Sequence, residues 1–328
     1  MPMSLPILFL ILLLLGFLGT ALFTALLIPR LRAMKMGQRI LEIGPVWHAP
    51  KEGTPTMGGL SFLLVTLLLL PLSPLLFDAY PSKELYAFLV SALFAVSNGA
   101  VGIVDDLTKL HHRRNEGLTP TQKLLLQVTL SAAYLAFLRT GGIIGEALSF
   151  PFFGAIPMGF ASYFVLLLLL VGITNCANLT DGIDGLACGV ASVIFAFYAL
   201  LSARAEAAAP MLLSAVFLSV ALAFLLFNRF PARIFMGDTG SLFLGAAAAS
   251  VPILLDLPFF SLIAGIIYVI EGASVILQVI YFKKTKKRLF LMAPIHHHFE
   301  KCGYSENRIV LLFSTVTAAA CALAWFLP

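Results

Sequence analysis

Uninterrupted apolar runs recur along the whole chain, and they restrict its fold more than any other feature. The first run, Leu5–Ile28, would form about 36 Å of helix at ~1.5 Å per residue, enough to cross a bilayer. Hydrophobic residues make up 60% of the 328 residues and charged residues only 11%. Soluble domains do not have this composition. Because a chain in lipid must satisfy its backbone hydrogen bonds internally, we predict an all-α, polytopic integral membrane protein.

The apolar runs predict about ten transmembrane helices. Three of them are short, the fourth, fifth and eighth, and these could be re-entrant instead. The predicted spans are Leu5–Ile28, Gly58–Leu70, Leu85–Val104, Leu124–Leu138, Phe160–Ile173, Leu186–Leu201, Met211–Phe227, Leu242–Leu255, Phe259–Phe282 and Ile309–Leu327.

The basic residues predict the orientation of these spans. Of the 21 Lys and Arg residues, all but Lys83, Arg139 and Arg204 lie in loops that follow odd-numbered spans. The positive-inside rule therefore places those loops in the cytoplasm and both termini outside it. The basic pI near 9.1 then reflects cytoplasmic loops, and we expect no nucleic-acid partner. No internal repeat or linker divides the sequence, so residues 1–328 are interpreted as a single membrane domain.

The segment from Asn175 to Leu186 concentrates polar chemistry between two apolar runs. It includes Asn178, Asp181 and Asp184. The two acids are three residues apart, so on a helical turn they would share one face and require a cation to offset their repulsion. The alternative is a polar turn in which Asp181 caps the next helix. That alternative explains neither Asp184 nor the asparagines.

Asp105 and Asp106 follow the third predicted span. Acids at the C-terminal end of a helix are disfavoured by its dipole, so we expect a compensating cation. Mg²⁺, which prefers oxygen ligands, would serve. Lys109, three and four residues further on, is the other candidate, and a purely structural Asp–Lys clamp stays open.

The fourth predicted cytoplasmic loop contains Asn228, Phe235 and Asp238. Asp238 lies between glycines just before the eighth span, where it could hold a metal that bridges phosphates. Phe235 offers an aromatic face to a nucleobase. A simple Asp cap, with Phe235 in the interfacial aromatic belt, is the alternative.

Two further loops carry candidate ligands. In the first loop, Lys51 and the Thr56 hydroxyl can bind phosphate, although basic loops are also a topological norm. The last loop contains His296, His297 and His298, which could bind phosphate, shuttle protons or bind a metal. Glu271 is the exception, since it lies near the middle of the ninth span and should face protein or a groove, or be protonated.

Together, these carboxylates, histidines and lysines at one membrane surface are the set expected for Mg²⁺-assisted phosphoryl transfer. Catalysis of that kind consists mostly of positioning and of neutralising the charge that develops on phosphate. A site at the lipid boundary further predicts that one substrate is a membrane lipid.

Five segments occur in order on the predicted cytoplasmic loops: Thr54–Gly59, Asp105–Lys109, Asn178–Leu186, Met236–Ser241 and Pro294–Glu300. With them the chain resembles the polyprenyl-phosphate N-acetylhexosamine-1-phosphate transferases, and in particular the muramoyl-pentapeptide branch of that superfamily in bacterial cell-wall synthesis. The resemblance implies ten spans in the bacterial cytoplasmic (inner) membrane, dependence on Mg²⁺ and a homodimer. It also implies a reaction in which UDP-N-acetylmuramoyl-pentapeptide and undecaprenyl phosphate give lipid I and UMP.

The resemblance also implies roles for individual residues. Asp238 would bind Mg²⁺, while Asp105 and Asp106 would handle the lipid phosphate, with Asp105 as the base. His296 would be catalytic. The uridine end would be held by Asp184, Asn228 and Phe235, and the site would be lined by Lys51, Thr56, Asn178, Asp181 and His297.

Two other functions stay open at this point. A sister transferase would move N-acetylglucosamine-1-phosphate to the same lipid, although the sequence Pro294–Glu300 disfavours it. A sugar-nucleotide transporter would require polar residues through the bilayer midplane, where Glu271 is the one deep charge in the predicted spans.

Overall fold

The computed structural model describes residues 4–34, 51–112 and 117–327. Four basic residues that support the predicted orientation, Lys35, Arg39, Arg113 and Arg114, lie outside these ranges.

The described part of the chain is almost entirely helical, with one small hairpin. The hairpin pairs β1 with β2 in antiparallel register, so that Ala147 lies opposite Pro157. The elements are α1 (Leu5–Ala33), α2 (Leu60–Leu69), α3 (Ser73–Leu76), α4 (Ser82–His112), α5 (Pro120–Thr140), β1 (Ala147–Phe150), β2 (Gly154–Pro157), α6 (Ala161–Thr180), α7 (Leu186–Arg204), α8 (Ala208–Asn228), α9 (Gly237–Leu254), α10 (Phe260–Ala264), α11 (Ile266–Thr285), α12 (Ile295–Lys301) and α13 (Glu306–Ala324).

Seven of the described helices are long and apolar enough to cross a membrane. These are α1, α4, α6, α7, α8, α11 and α13, and they confirm the prediction of an all-α polytopic membrane protein. The predicted spans Gly58–Leu70, Leu124–Leu138 and Leu242–Leu255 correspond to α2, α5 and α9, which do not meet that standard of length and composition. The total of ten spans and the location of the termini therefore remain predictions.

The third predicted span is longer than the apolar run that suggested it. Helix α4 continues past Val104 to His112, so Asp105 and Asp106 lie inside the helix and not at its end. The dipole argument made for these acids was therefore wrong, because it applies only to the last turn. Lys109 pairs with both acids across one helical turn, which favours continuation of the helix.

The ninth predicted span is interrupted. Instead of one helix over Phe259–Phe282, the short helix α10 ends at Ala264 and α11 begins at Ile266. Gly265 separates them, and a Cβ atom there would lie 2.4 Å from the carbonyl oxygen of Ser261. Only glycine allows this close approach of the backbone to itself.

Helix α8 forms the centre of the bundle and α1 lies at its edge. The apolar window of α8 is 78% buried, whereas that of α1 is 22% buried. Helices α1 and α7 pack against α8, while α4 and α6 pack against α9. The apolar side chains left exposed on the outer helices are the ones that lipid would cover.

Glycines allow α9 to approach its neighbours at backbone distance. A Cβ atom at Gly102 of α4 would lie 2.2 Å from the carbonyl oxygen of Asp238. A Cβ atom at Gly59, just before α2, would lie 2.2 Å from the backbone nitrogen of Gly240. These contacts hold the first turn of α9 close to Gly102 of α4. Gly102 lies one helical turn before Asp105 and Asp106.

The close packing of α4 on α9 predicts the effect of a single methyl group. Gly102→Ala should destabilise the protein by about 1–3 kcal/mol, because the added atom meets rigid backbone. Gly172→Ala is the matched control, since this helical glycine has open space around the corresponding position and alanine is the better helix former by roughly 1 kcal/mol. Thermal unfolding of the detergent-purified variants measures the difference. Equal stability of the two variants would contradict the packing described here.

Candidate active site

Three carboxylates from two helices form an acidic cluster. One ligand oxygen from each of Asp105, Asp106 and Asp238 lies within 4.8 Å of the others. Asp105 and Asp106 come from α4 and are 3% and 4% exposed, while Asp238 lies in the first turn of α9. Two of the sequence segments singled out above, far apart in the chain, are thus brought together.

Asp106 acts as a cap for α9 across the helix interface. Its two carboxylate oxygens accept hydrogen bonds from the backbone nitrogens of Asp238 at 3.1 Å and Thr239 at 3.0 Å, and from the Thr239 hydroxyl at 2.7 Å. The residue that precedes the helix, Met236, provides no side-chain cap. The alternative in which Asp238 itself is the cap is therefore wrong. Asp238 lies within the first turn, where a carboxylate is favoured by the helix dipole.

Two lysines neutralise part of the acidic cluster. The Lys109 ammonium lies 2.7 Å from Asp105 and 2.9 Å from Asp238. The ammonium of Lys123, from the first turn of α5, lies 2.7 Å from Asp238. Sequence analysis counted Lys123 only as a basic loop residue, because nothing local distinguishes it from other lysines at a membrane surface.

Asn178 connects the acidic cluster to α6 through hydrogen bonds from its neutral side chain. Its amide nitrogen donates to Asp238 at 2.9 Å and to the Ser241 hydroxyl at 2.7 Å, and its amide oxygen accepts from Lys123 at 3.1 Å. The last turn of α6 is thereby joined to the beginning of α9.

Asp181 is a fourth carboxyl group beside the cluster, and its surroundings disfavour its charged form. Burial raises the pKa of its carboxyl to about 8, and the nearby carboxylates of Asp238 and Asp106 act in the same direction. The three carboxylates of the cluster face two ammonium groups, and the local excess of negative charge is one that an added cation would relieve.

Asp184 contacts Lys51, whereas Asp181 lies beside the acidic cluster. Helix α6 ends at Thr180 and the following residues form a turn in which Gly185 is left-handed, with φ 79°. The two acids consequently do not share one face of a helix. Their spacing of three residues had predicted that they would. One oxygen of Asp184 lies 2.7 Å from the Lys51 ammonium, and the other accepts from the backbone nitrogen of Ala232 at 2.8 Å.

Lys51 and Glu306, the first residue of α13, are both joined to this turn. Lys51 lies 2.6 Å from Glu306, and the same Glu306 oxygen accepts from the Asp184 backbone nitrogen at 2.8 Å. Lys51 is the cation that offsets the charge of Asp184, although it is far from that residue in sequence. Glu306 also escaped sequence analysis, because a glutamate in the first turn of a helix has an ordinary explanation in the dipole.

Asn228 and Phe235 order the loop between α8 and α9. The buried Asn228 amide donates to the carbonyl of Ile234 at 3.0 Å and accepts from the Gly185 nitrogen at 3.1 Å. Phe235 is half-buried, and its backbone pairs with Pro55 and Gly58 at 2.8 Å each.

Thr56 lies beside the beginning of α9. A Cβ atom on Gly237 would lie 3.0 Å from its hydroxyl oxygen. The loop that contains Phe235 and the loop that contains Thr56 therefore form one surface.

The three consecutive histidines have three different partners. His296 is buried and its Nδ1 lies 3.0 Å from Glu271. The Nδ1 of His297 lies 2.6 Å from Glu300, and the Nδ1 of His298 accepts from the Leu291 nitrogen at 3.2 Å. Within the described residues, the one group of three close metal-ligating side chains is the acidic cluster. The histidine run is thus not a single transition-metal site.

His296 lies directly behind the turn that carries Asp181 and Asp184. A Cβ atom on Gly182 would lie 2.1 Å from the Nε2 of His296. Glu271, which had no assigned partner in the sequence, is fully buried against this imidazole. It faces protein, as one of the sequence-based alternatives held, and not a groove open to lipid.

This contact predicts a coupling between Gly182 and His296. Gly182→Ala should lower stability by about 1–3 kcal/mol, because the imidazole must move to admit the methyl group. In the His296→Ala background the same substitution should cost less than roughly 0.5 kcal/mol, since the obstacle is gone. Thermal unfolding of the four proteins in this cycle provides the test. An equal loss in both backgrounds would show that the contact does not limit residue 182.

Two segments of the chain match models of known protein families. Residues 86–256 match the family model described as glycosyl transferase family 4, and residues 51–63 match the phospho-N-acetylmuramoyl-pentapeptide-transferase signature 1. The second match begins at Lys51, which contacts Asp184.

Curated relatives are similar over almost their full length. The chain is 41% identical to a phospho-N-acetylmuramoyl-pentapeptide-transferase of Clostridium perfringens (strain SM101) over 94% of each chain. It is 41% identical to that of Clostridium acetobutylicum over 95% of this chain and 96% of the relative. It is 47% identical to that of Levilactobacillus brevis over 91% of each. The chain therefore belongs to the phospho-N-acetylmuramoyl-pentapeptide-transferases, within glycosyl transferase family 4.

Proposed function

We propose that this chain transfers phospho-N-acetylmuramoyl-pentapeptide from UDP to undecaprenyl phosphate, giving lipid I and UMP, on the cytoplasmic face of the bacterial cytoplasmic membrane. The names of its relatives supply the transferred group. The observation that carries the proposal is the acidic cluster, with two lysines beside it, at the junction of α4 and α9. Such a set suits phosphoryl transfer, which depends on positioning and on neutralisation of charge.

The cluster fits Mg²⁺ in both ligand type and charge. All three ligands are hard carboxylate oxygens, and the neighbouring lysines leave an excess of negative charge. Asp238 would hold the ion, whereas both oxygens of Asp106 already accept hydrogen bonds from α9. When bound, the ion would neutralise the diphosphate and polarise its phosphorus–oxygen bonds.

Asp105 is the proposed base. One of its oxygens accepts from the Leu118 nitrogen at 2.8 Å and the other lies 2.7 Å from Lys109, so the carboxylate is oriented. In the proposed step it takes any proton remaining on the lipid phosphate, whose oxygen then attacks the β-phosphorus of the nucleotide. The bond from that phosphorus to the bridging oxygen breaks, and UMP leaves. Lys109 and Lys123 would then exchange carboxylate partners for phosphate oxygens.

The uridine end of the substrate is proposed to bind between the first loop and the loop that precedes α9. Asp184, Asn228 and Phe235 would hold it. The first two already order the loop backbone there, at Ala232 and Ile234. The site would also be lined by Lys51, Thr56, Asn178, Asp181 and His297.

Two further parts of the proposal rest on the family resemblance alone. His296 is proposed to be catalytic. It is buried behind the Asp181–Asp184 turn, so this role requires its Nε2 atom to act at that turn. The protein is also proposed to form a homodimer.

The proposal predicts the substrate and metal dependence of UMP release. The detergent-purified chain, given undecaprenyl phosphate and UDP-N-acetylmuramoyl-pentapeptide, should release UMP with Mg²⁺ and not with EDTA. Asp238→Asn should lower the rate by about 100-fold or more, because an amide cannot replace the charge of the ligand. Asp256→Asn, at the opposite end of α9 where it accepts from Ser149, is the matched control and should retain full activity.

Three results of this assay would contradict parts of the proposal. Turnover of UDP-N-acetylglucosamine in place of the muramoyl substrate would assign the chain to the sister reaction with the same chemistry. A folded protein that releases UMP from neither nucleotide would overturn the proposed reaction. Full activity in EDTA would overturn the metal assignment alone.

Direct attack by the lipid phosphate predicts that no covalent enzyme intermediate forms. Incubation with the labelled muramoyl nucleotide alone, followed by denaturation and mass spectrometry, should leave Asp105 unmodified. An Asp105→Asn variant provides the matched background for the same peptide. A phospho-N-acetylmuramoyl-pentapeptide adduct on Asp105, absent from the variant, would replace the direct mechanism with a two-step one.

A further inference from the structure

Glu271 and His296 form a buried polar pair that the proposed reaction does not explain. Glu271 lies in α11, is 0% exposed, and its Oε1 lies 3.0 Å from Nδ1 of His296. Two atoms of this pair, Oε2 of Glu271 and Nε2 of His296, have no hydrogen-bond partner among the described residues.

Such a pair is a poor way to stabilise a membrane protein. A buried carboxylate loses its hydration, and each buried polar atom without a partner adds to that penalty. Replacing buried ionic pairs with apolar side chains of similar volume is often neutral or stabilising. An ionisable residue buried within a candidate membrane-spanning helix is therefore best explained by a function.

The chemistry of the two groups determines where the imidazole proton lies. An ionised carboxylate can only accept, so the short contact requires a hydrogen on Nδ1 of His296. The nitrogen that is free to gain or lose a proton is then Nε2. Glu271 favours a hydrogen on Nδ1 whether the imidazole is neutral or protonated.

The remaining nitrogen faces the turn between α6 and α7. Nε2 lies against Gly182, between Asp181 and Asp184, where the absence of a side chain leaves space for the ring. The unpartnered atom is thus directed at the segment that carries two of the proposed substrate-binding acids.

We propose that Glu271 is a positioning residue that fixes the His296 imidazole with its proton on Nδ1 and presents Nε2 to the Asp181–Asp184 turn. The inference rests on the proposed function, because it gives Glu271 a role through a histidine proposed to be catalytic. A carboxylate that orients an imidazole in this way also stabilises the charge that develops when the ring takes up a proton.

The test is Glu271→Gln, which preserves size and hydrogen-bonding capacity. A glutamine can donate to Nδ1 as well as accept from it, so it no longer imposes one tautomer. A purely structural role would be satisfied by the amide. The positioning role predicts that kcat falls by about 10-fold to 100-fold, while KM for the nucleotide changes by less than about threefold.

A double-mutant cycle shows whether Glu271 acts through His296. In a His296→Gln background, Glu271→Gln should cause no further loss beyond about twofold, because the group it positions is absent. Glu84→Gln is the matched control. Its carboxylate accepts from the Ala209 nitrogen near the other end of α4, and its replacement should leave UMP release within about twofold of wild type. Losses that multiply in the double variant, or a kcat of Glu271→Gln within twofold of wild type, would overturn the proposal.

A spectroscopic measurement separates this inference from the proposed reaction. In ¹⁵N-histidine-labelled protein, the His296 signals can be assigned by their absence from His296→Gln. Nδ1 should be protonated in wild type, and its protonation should become mixed in Glu271→Gln. A bare Nδ1 in wild type would overturn the inference, even if the enzyme is active. Failure of wild type to release UMP, with Nδ1 protonated, would instead refute the proposed reaction and leave the positioning of His296 intact.

Discussion

The capping of α9 by Asp106 is the interaction on which the rest of the site depends. Both oxygens of this carboxylate accept from the first turn of α9, and Gly102 allows the two helices to meet at backbone distance. Asp238 is held beside Asp105 as a direct result. The two adjacent acids therefore do different work, because Asp106 positions a helix while Asp105 is left with a lysine and one backbone amide.

Around this junction the balance of charge explains why the site can accept phosphate. Lys109 and Lys123 contact the carboxylates, and Lys51 contacts both Asp184 and Glu306. An arriving diphosphate competes for the same ammonium groups and leaves the acids more exposed to one another. A divalent cation resolves that repulsion, since it gives the carboxylates a partner when the lysines turn to phosphate.

The sequence predicts the class of the fold well, since apolar runs directly report length and burial in lipid. The predictions that were wrong or missing depend on contacts that the local sequence does not show. The apolar run before Asp105 ends earlier than α4, because a helix can continue through polar residues once Lys109 offsets their charge. The three candidate metal ligands could be named in advance, whereas Lys123 and Glu306 could not. Their partners lie 115 and 255 residues away, and each has an ordinary local explanation.

The histidine run shows how burial changes the meaning of a motif. As a sequence, three adjacent imidazoles could bind phosphate, shuttle protons or bind a metal, but on the helix α12 they contact separate partners. His296 is the one turned inward, and it meets a carboxylate that the sequence marked as anomalous because of its depth in a span. A charge in that position is costly in lipid, and the cost is reduced only if the carboxylate has a donor. Glu271 and His296 therefore explain each other, and an account of either residue alone leaves a buried polar group without a reason.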